Sequence, residues 1–130
     1  MQISAISAEC TMDPTLRDKI TSRHKKFHPA SDRPNYDCRL ESMAKNYLDP
    51  HSGFLLHPDY GVIKAVVERK GGNIDQQLDY AFKYPEWNRL KDAKKWRIPL
   101  PSIYGCYYET KWTYPVLACV YDTRVYRSDY

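Results

Sequence analysis

The stretch 104-YGCYYETKWTYPVLACVYDTRVY-126 decides the fold. It is dense in Tyr, Val, Thr and Trp, residues that fit a pleated, half-buried surface. "YGCYYETKWTY" reads as a hairpin that turns near Glu109-Thr110-Lys111. "PVLACVY" and "TRVYR" read as a second strand pair around Asp122-Thr123. Just before it, Pro99 and Pro101 fix φ and remove donors, so "IPLPSIYG" is extended.

Upstream the periodicity is helical. Asp13-Pro14 is a start signal, because proline at the first helical position has no amide hydrogen to leave unpaired. Leu16, Ile20 and Phe27 follow near one face, and Pro29 ends the helix. "PASDRP" is a loop. A second helix is expected over about 35–48, with Tyr36, Leu40, Met43, Ala44, Tyr47 and Leu48 as its apolar stripe and Asp49-Pro50 as its stop. "DPHSGFLLHPDYG" is a loop with an apolar centre, Phe54 to Leu56. Over 62–68, Val62, Ile63, Val66 and Val67 fit a helical face at i, i+1, i+4, i+5, with Gly71-Gly72 as its cap. The β-branched content also suits a short buried strand; the spacing favours helix. Asn73 with Gln76 resembles a capping box that opens a helix carrying Ile74, Leu78, Ala81 and Phe82. "EWNRLKDAKKWR" continues as a short helix after Pro85.

The expectation is therefore an α+β fold in one domain, 1–130. A helical part over about 13–97 packs on one face of a small antiparallel sheet built from about 102–130. The length suits one hydrophobic core.

The bulk numbers constrain function weakly. The net charge is +4, with both signs alternating along most of the chain. That permits an acidic partner without demanding one. No secretory leader is recognisable over Met1–Met12, and no window is apolar enough to insert in a membrane. The cysteines stand at 10, 38, 106 and 119, and their spacings match no metal knuckle. Without a leader they read as free thiols in a soluble, intracellular, reducing compartment.

Three constellations are candidates for chemistry. His24 and His28 lie i, i+4 on a helix, and Cys38 joins them if the second helix folds back; this is a zinc-type donor set. Against it, "RHKKFH" is also an ordinary basic helix end, and Lys25 stands where HExxH needs its glutamate. His51, His57 and Asp59 share one loop and supply a base beside a carboxylate, though no serine stands in a GxSxG context. "RKGGN" matches no phosphate-binding fingerprint. Arg89, Lys91, Lys94, Lys95 and Arg97 flank Trp96, a cation-plus-aromatic pattern that suits single-stranded nucleic acid. No cofactor is expected.

The feature in greatest excess is aromatic. The chain has 12 Tyr and 3 Trp against 5 Gly, so tyrosines on both faces of the sheet would leave an aromatic surface outward. Tyr107, Trp112, Tyr114 and Tyr126 are the expected protein-binding residues. The sequence thus predicts a non-enzymatic interaction protein, an accessory subunit of a larger assembly or a virus- or mobile-element-encoded inhibitor. Nucleic-acid binding and a small His-dependent hydrolase or nuclease are the alternatives.

Overall fold

The computed structural model describes residues 9–27, 35–67, 72–83, 103–110 and 114–124. Their order is α1 (Pro14–Phe27), β1 (Asn35–Tyr36), α2 (Cys38–Leu48), β2 (Tyr60–Val66), α3 (Ile74–Lys83), β3 (Ile103–Glu109) and β4 (Val116–Asp122). The α+β class holds. The four strands form one sheet in the order β1-β3-β4-β2. β4 runs antiparallel to both β3 and β2, and β1 pairs parallel with β3. The sheet is thus mixed, not purely antiparallel.

The helix signals act through named hydrogen bonds. Pro14 opens α1, and the Asp13 carboxylate accepts from Leu16 N–H at 3.2 Å. Asp37 donates its own N–H to Tyr104 O at 2.8 Å, extending β1, and its side chain caps α2 through Arg39 N–H at 2.8 Å. A strand end and a helix start thus share one residue, so the second helix begins at Cys38 and not at about 35. At α3 the capping box is reciprocal: Gln76 N–H donates to Asn73 Oδ1 at 2.8 Å, and Asn73 N–H to Gln76 Oε1 at 3.0 Å.

The central strand β4 is buried on both faces. Ile63, Ala65, Tyr104, Cys106, Leu117, Cys119 and Tyr121 pack with Ile20 of α1 and with Leu78 and Phe82 of α3. On the opposite face, Ala118 and Val120 pack with Leu40 and Ala44 of α2. This helix–sheet–helix layering replaces the expected packing of all helices on one face. It also explains β2. The two faces of β2 are unequal: Gly61, Ile63, Ala65 and Val67 are buried on the α1–α3 side, while Val62 and Val66 are half-buried and Lys64 is exposed on the other, and apolar residues on both faces imitate a buried helix. Segment 62–68 is accordingly strand through Val66, paired residue for residue with β4 from Tyr60↔Asp122 to Val66↔Val116.

Two further expectations are corrected. The hairpin joins β3 to β4 in register Cys106↔Cys119, so its second arm is Val116–Asp122 and not 112–114. Thr123 and Arg124 form a short 3₁₀ turn after β4, and the rest of the expected "TRVYR" arm lies outside the described residues. The cysteines are also not free thiols: Cys10–Cys38 and Cys106–Cys119 are disulfides. Such bonds persist in oxidising environments, which contradicts a reducing intracellular compartment. No described helix is long and apolar enough to cross a membrane. The expected helix over 86–97 lies outside the described residues.

Candidate functional site

α2 is shorter than the sheet it covers. Leu40 and Ala44 sit over Ala118 and Val120, but the helix ends at Leu48, where Asp49 donates its N–H to Asn46 O at 3.2 Å. Beyond that end, the described residues leave the α2 side of β2 only partly covered, with Val66 half-buried and Lys64 exposed. Lys64 and Val66 share the α2 side of β2, because alternate residues point the same way. Val116 is the register partner of Val66. The result is a groove of about 520 Å³ lined by Tyr47, Leu48, Pro50, Lys64, Val66, Tyr114 and Val116. Two tyrosines flank it, Tyr47 at 39 % and Tyr114 at 38 % exposure. Lys64 is its one charged wall residue. That side chain is exposed and makes no ion pair or hydrogen bond among the described residues.

Of the aromatic residues expected to bind a partner, Tyr114 lies in this groove. Tyr107 is half-buried on the same face of the sheet, with Lys45 Nζ 5.9 Å from its ring centre. Trp112 and Tyr126 lie outside the described residues. Much of the aromatic surplus is core. Tyr104, Tyr108 and Tyr121 are buried, and burial pushes the hydroxyls of Tyr104 and Tyr108 up to about 12. Tyr47, Lys64 and the loop residue Leu55 were missed as site residues. Tyr47 reads as one more member of an apolar stripe until the helix is seen to end short of the sheet it covers.

The zinc-type set is not assembled. Cys38 is disulfide-bonded to Cys10. His24 is buried, stacks on Tyr104 at 4.0 Å between ring centres, and has Nε2 2.8 Å from Tyr121 Oη. His28 lies outside the described residues. The buried Glu41 has its oxygens engaged by Thr11 N–H, Met12 N–H, Arg17 Nε and Tyr36 Oη at 2.7 to 3.1 Å, and the buried Asp122 pairs with Arg124 at 2.8 Å. No three His, Cys, Asp or Glu side chains converge among the described residues. The donor set that a metal would need is therefore not brought together there.

His51, His57 and Asp59 shape a loop. Asp59 N–H donates to His57 Nδ1 at 3.0 Å, and the Asp59 carboxylate stands 3.5 Å from the same nitrogen. His51 N–H instead donates to Asp49 Oδ1 at 2.9 Å. The histidine rings are exposed, and Asp59 O anchors Thr123 through N–H and Oγ1. The basic set Arg89, Lys91, Lys94, Lys95, Trp96 and Arg97 lies outside the described residues. In the other basic run, Arg23 is bound to Asp75 and Asp79 at 2.9 and 2.8 Å.

Comparison with known proteins adds the frame for these features. The sequence model of the family described as Ancylostoma-associated secreted protein related matches residues 5–121. No curated protein matches the chain. Among solved structures, that of NaASP2 with Zn2+ superposes with a TM-score of 0.61 at 16 % identity, over 88 % of this chain and 84 % of that one. The Ancylostoma-secreted protein Ac-ASP-7 superposes with a TM-score of 0.58 at 21 % identity, over 94 % of this chain and 74 % of that one. A manganese-bound form of the latter gives the same values. At these identities the superpositions establish the fold.

The family match overturns the reading as an accessory subunit or a virus- or mobile-element-encoded inhibitor. The family's secreted character and the two disulfides together place the protein in an extracellular rather than a reducing setting. Over nearly all of its described fold, this chain is a member of the Ancylostoma-associated secreted protein related family.

Proposed function

We propose that this protein works outside the cell as a binding protein, and that the groove beyond the end of α2 takes up a protein partner. One observation carries the reading: Tyr47 and Tyr114 stand exposed in the wall of an apolar concavity. Tyrosine brings a large apolar body and a hydroxyl at low entropic cost, and such residues anchor protein interfaces. Lys64 adds one charge to the wall, so an apolar side chain next to a carboxylate suits the site best. Tyr107 supports the sheet surface beneath Lys45. Trp112 and Tyr126 remain proposed contributors. We also take 1–130 as a single domain, a reading supported by one sheet serving both helical layers.

The test is photo-crosslinking in native extracellular fluid with a benzophenone amino acid at position 114. A second probe at Ser22, exposed on α1, is the control. Crosslinks to protein are expected from position 114, not from 22, and reduced by Tyr47→Ala. Equal crosslinking from both positions, or none from 114, overturns the reading.

A further inference from the structure

The loop between α2 and β2 is built to display one apolar side chain. Ser52 Oγ donates towards Asn46 O at 2.7 Å and lies 2.9 Å from Asp49 O, and it accepts Phe54 N–H at 3.1 Å. At the far end Asp59 O receives both Thr123 N–H, at 3.0 Å, and Thr123 Oγ1, at 2.6 Å. Phe54 and Leu56 are half-buried, and Leu56 packs against the α2-side core. Leu55 between them is 89 % exposed. A single exposed leucine is ordinary on a protein surface. Its place gives this one weight. Pro50 in the groove wall and Leu55 belong to the same braced loop, five residues apart, so at most about 18 Å of chain separates them.

A knob and a hole side by side on one surface are what a two-fold interface needs. There, residue i of one copy meets residue j of the other, and j meets i in return. We propose that the occupant of the groove is the Leu55 loop of a second copy of this chain, exchanged reciprocally about a two-fold axis; this rests on the groove being the binding surface. Leu55 enters between Tyr47 and Tyr114 of the other copy. Charge agrees with the pairing. Residues 49–60 contain Asp49 and Asp59 and no Lys or Arg, and the groove offers Lys64. Because the loop is held at both ends, little ordering entropy opposes docking.

The experiment is sedimentation equilibrium of the full chain over a concentration series. The wild type is expected to form a dimer that grows with concentration and stops at two copies. Leu55→Asp, which touches no core side chain, is expected to weaken association on the order of 100-fold or more, because an apolar anchor is lost twice per dimer. Its thermal unfolding should match the wild type. Tyr47→Ala/Tyr114→Ala should be equally impaired. Mixing the knob variant with the groove variant restores one of the two contacts, so the mixture should associate more tightly than either alone. A wild type that stays monomeric, or Leu55→Asp associating like the wild type, overturns the proposal. So does open-ended growth beyond two copies. The benzophenone at 114 separates this inference from the reading beneath it. Crosslinks to the 51–58 peptide of a second copy support both. Crosslinks to a different protein alone overturn the self-pairing and leave the binding groove. No crosslink overturns both.

Discussion

Arg17 Nε donates to Glu41 Oε1 at 3.1 Å, and the Glu41 side chain is fully buried. Tyr36 Oη donates to the same oxygen at 2.7 Å, and the other oxygen receives the amides of Thr11 and Met12. One carboxylate on α2 therefore ties down β1, α1 and the segment that carries Cys10. A buried charge is tolerated when its lone pairs are taken, and removing it leaves its donors unpaired in a dry site. Glu41→Ala is expected to cost about 3–5 kcal/mol in urea unfolding. Glu41→Gln keeps an acceptor and should cost less. A loss under about 1 kcal/mol for Glu41→Ala would remove this residue from the centre of the fold.

Gly105 makes α2 possible in its present place. A Cβ there would lie 2.3 Å from Glu41 N, 2.6 Å from Asp37 O and 2.7 Å from Leu40 C. All three are backbone atoms of the α2 start, so no rotamer relieves the clash. Gly105→Ala is expected to cost more than about 3 kcal/mol, beyond ordinary overpacking. Gly53 is the contrast. Its φ is +70°, with nothing within 4 Å of a built Cβ, so Gly53→Ala pays only backbone strain, about 1–2 kcal/mol. Urea midpoints of the two variants check the order, and equal losses would count against it.

Local chemistry was legible and layering was not. Asp13-Pro14 and the Asn73–Gln76 box announce their helices because the groups that make them are adjacent in sequence. The strand β2 imitates a helix because apolar residues stand on both of its faces, Ile63 and Val67 on the α1–α3 side and Val62 and Val66 on the α2 side. The disulfides were misread because their partners are set by register, Cys106 opposite Cys119, and by the approach of Cys10 to the start of α2. Neither fact lies in the spacing. Of the groove, Tyr114 was anticipated from aromatic surplus alone. Tyr47, Lys64 and Leu55 become visible only once the helix stops short of the sheet edge. His24 illustrates the opposite error: two histidines i, i+4 suggest a ligand pair, while a ring buried against Tyr104 and Tyr121 is core.

Alkaline pH should unfold this protein through its tyrosines. Burial holds the hydroxyls of Tyr104 and Tyr108 up to about 12, and burial together with the Glu41 hydrogen bond raises Tyr36 as well. The unfolded value is about 10. The folded state therefore retains protons that the unfolded state releases. The resulting stability is full below about pH 10 and is lost as pH rises from there through about 12. Urea midpoints should be flat between about pH 7 and 9 and fall above 10. Tyrosinate absorbance should rise in step with the loss of helical circular dichroism. Complete ionisation near pH 10 with the fold intact would contradict the burial.

Acid should act through Asp37. Burial alone would raise its carboxyl, but the hydrogen bonds and charge of Arg39 outweigh it, and the net value is lowered. That contribution is present above the unfolded value of about 3.9 and is lost as pH falls below it. Asp37→Asn keeps a capping acceptor for α2 while losing the charge. It should therefore be less stable than the wild type at neutral pH and converge on it as pH falls below the unfolded carboxylate value of about 3.9. Equal stability of the two proteins at pH 7 would show that the Arg39 pairing contributes nothing.

The two disulfides should come apart in a fixed order. The loops they close differ, 28 residues for Cys10–Cys38 and 13 for Cys106–Cys119. Chain entropy assigns them about 3.5 and about 3 kcal/mol. That gap is too small to decide the ranking, so packing decides it. Cys106 and Cys119 are fully buried between α1, α3 and the sheet, and their replacement by alanine also empties core volume. Cys106→Ala/Cys119→Ala should thus be the more destabilised variant despite its shorter loop. Access runs the same way. Cys10 and Cys38 are half-buried at the edge of α2, and thiolate attack needs a reachable sulfur. Under native conditions a mild thiol reductant should open Cys10–Cys38 first, with the fold retained. Cys106–Cys119 should open only at the rate of global unfolding. Mass spectrometry of alkylated time points reads this directly. Simultaneous loss of both bonds, or loss of Cys106–Cys119 first, would mean that the sheet opens more readily than the segment that carries Cys10.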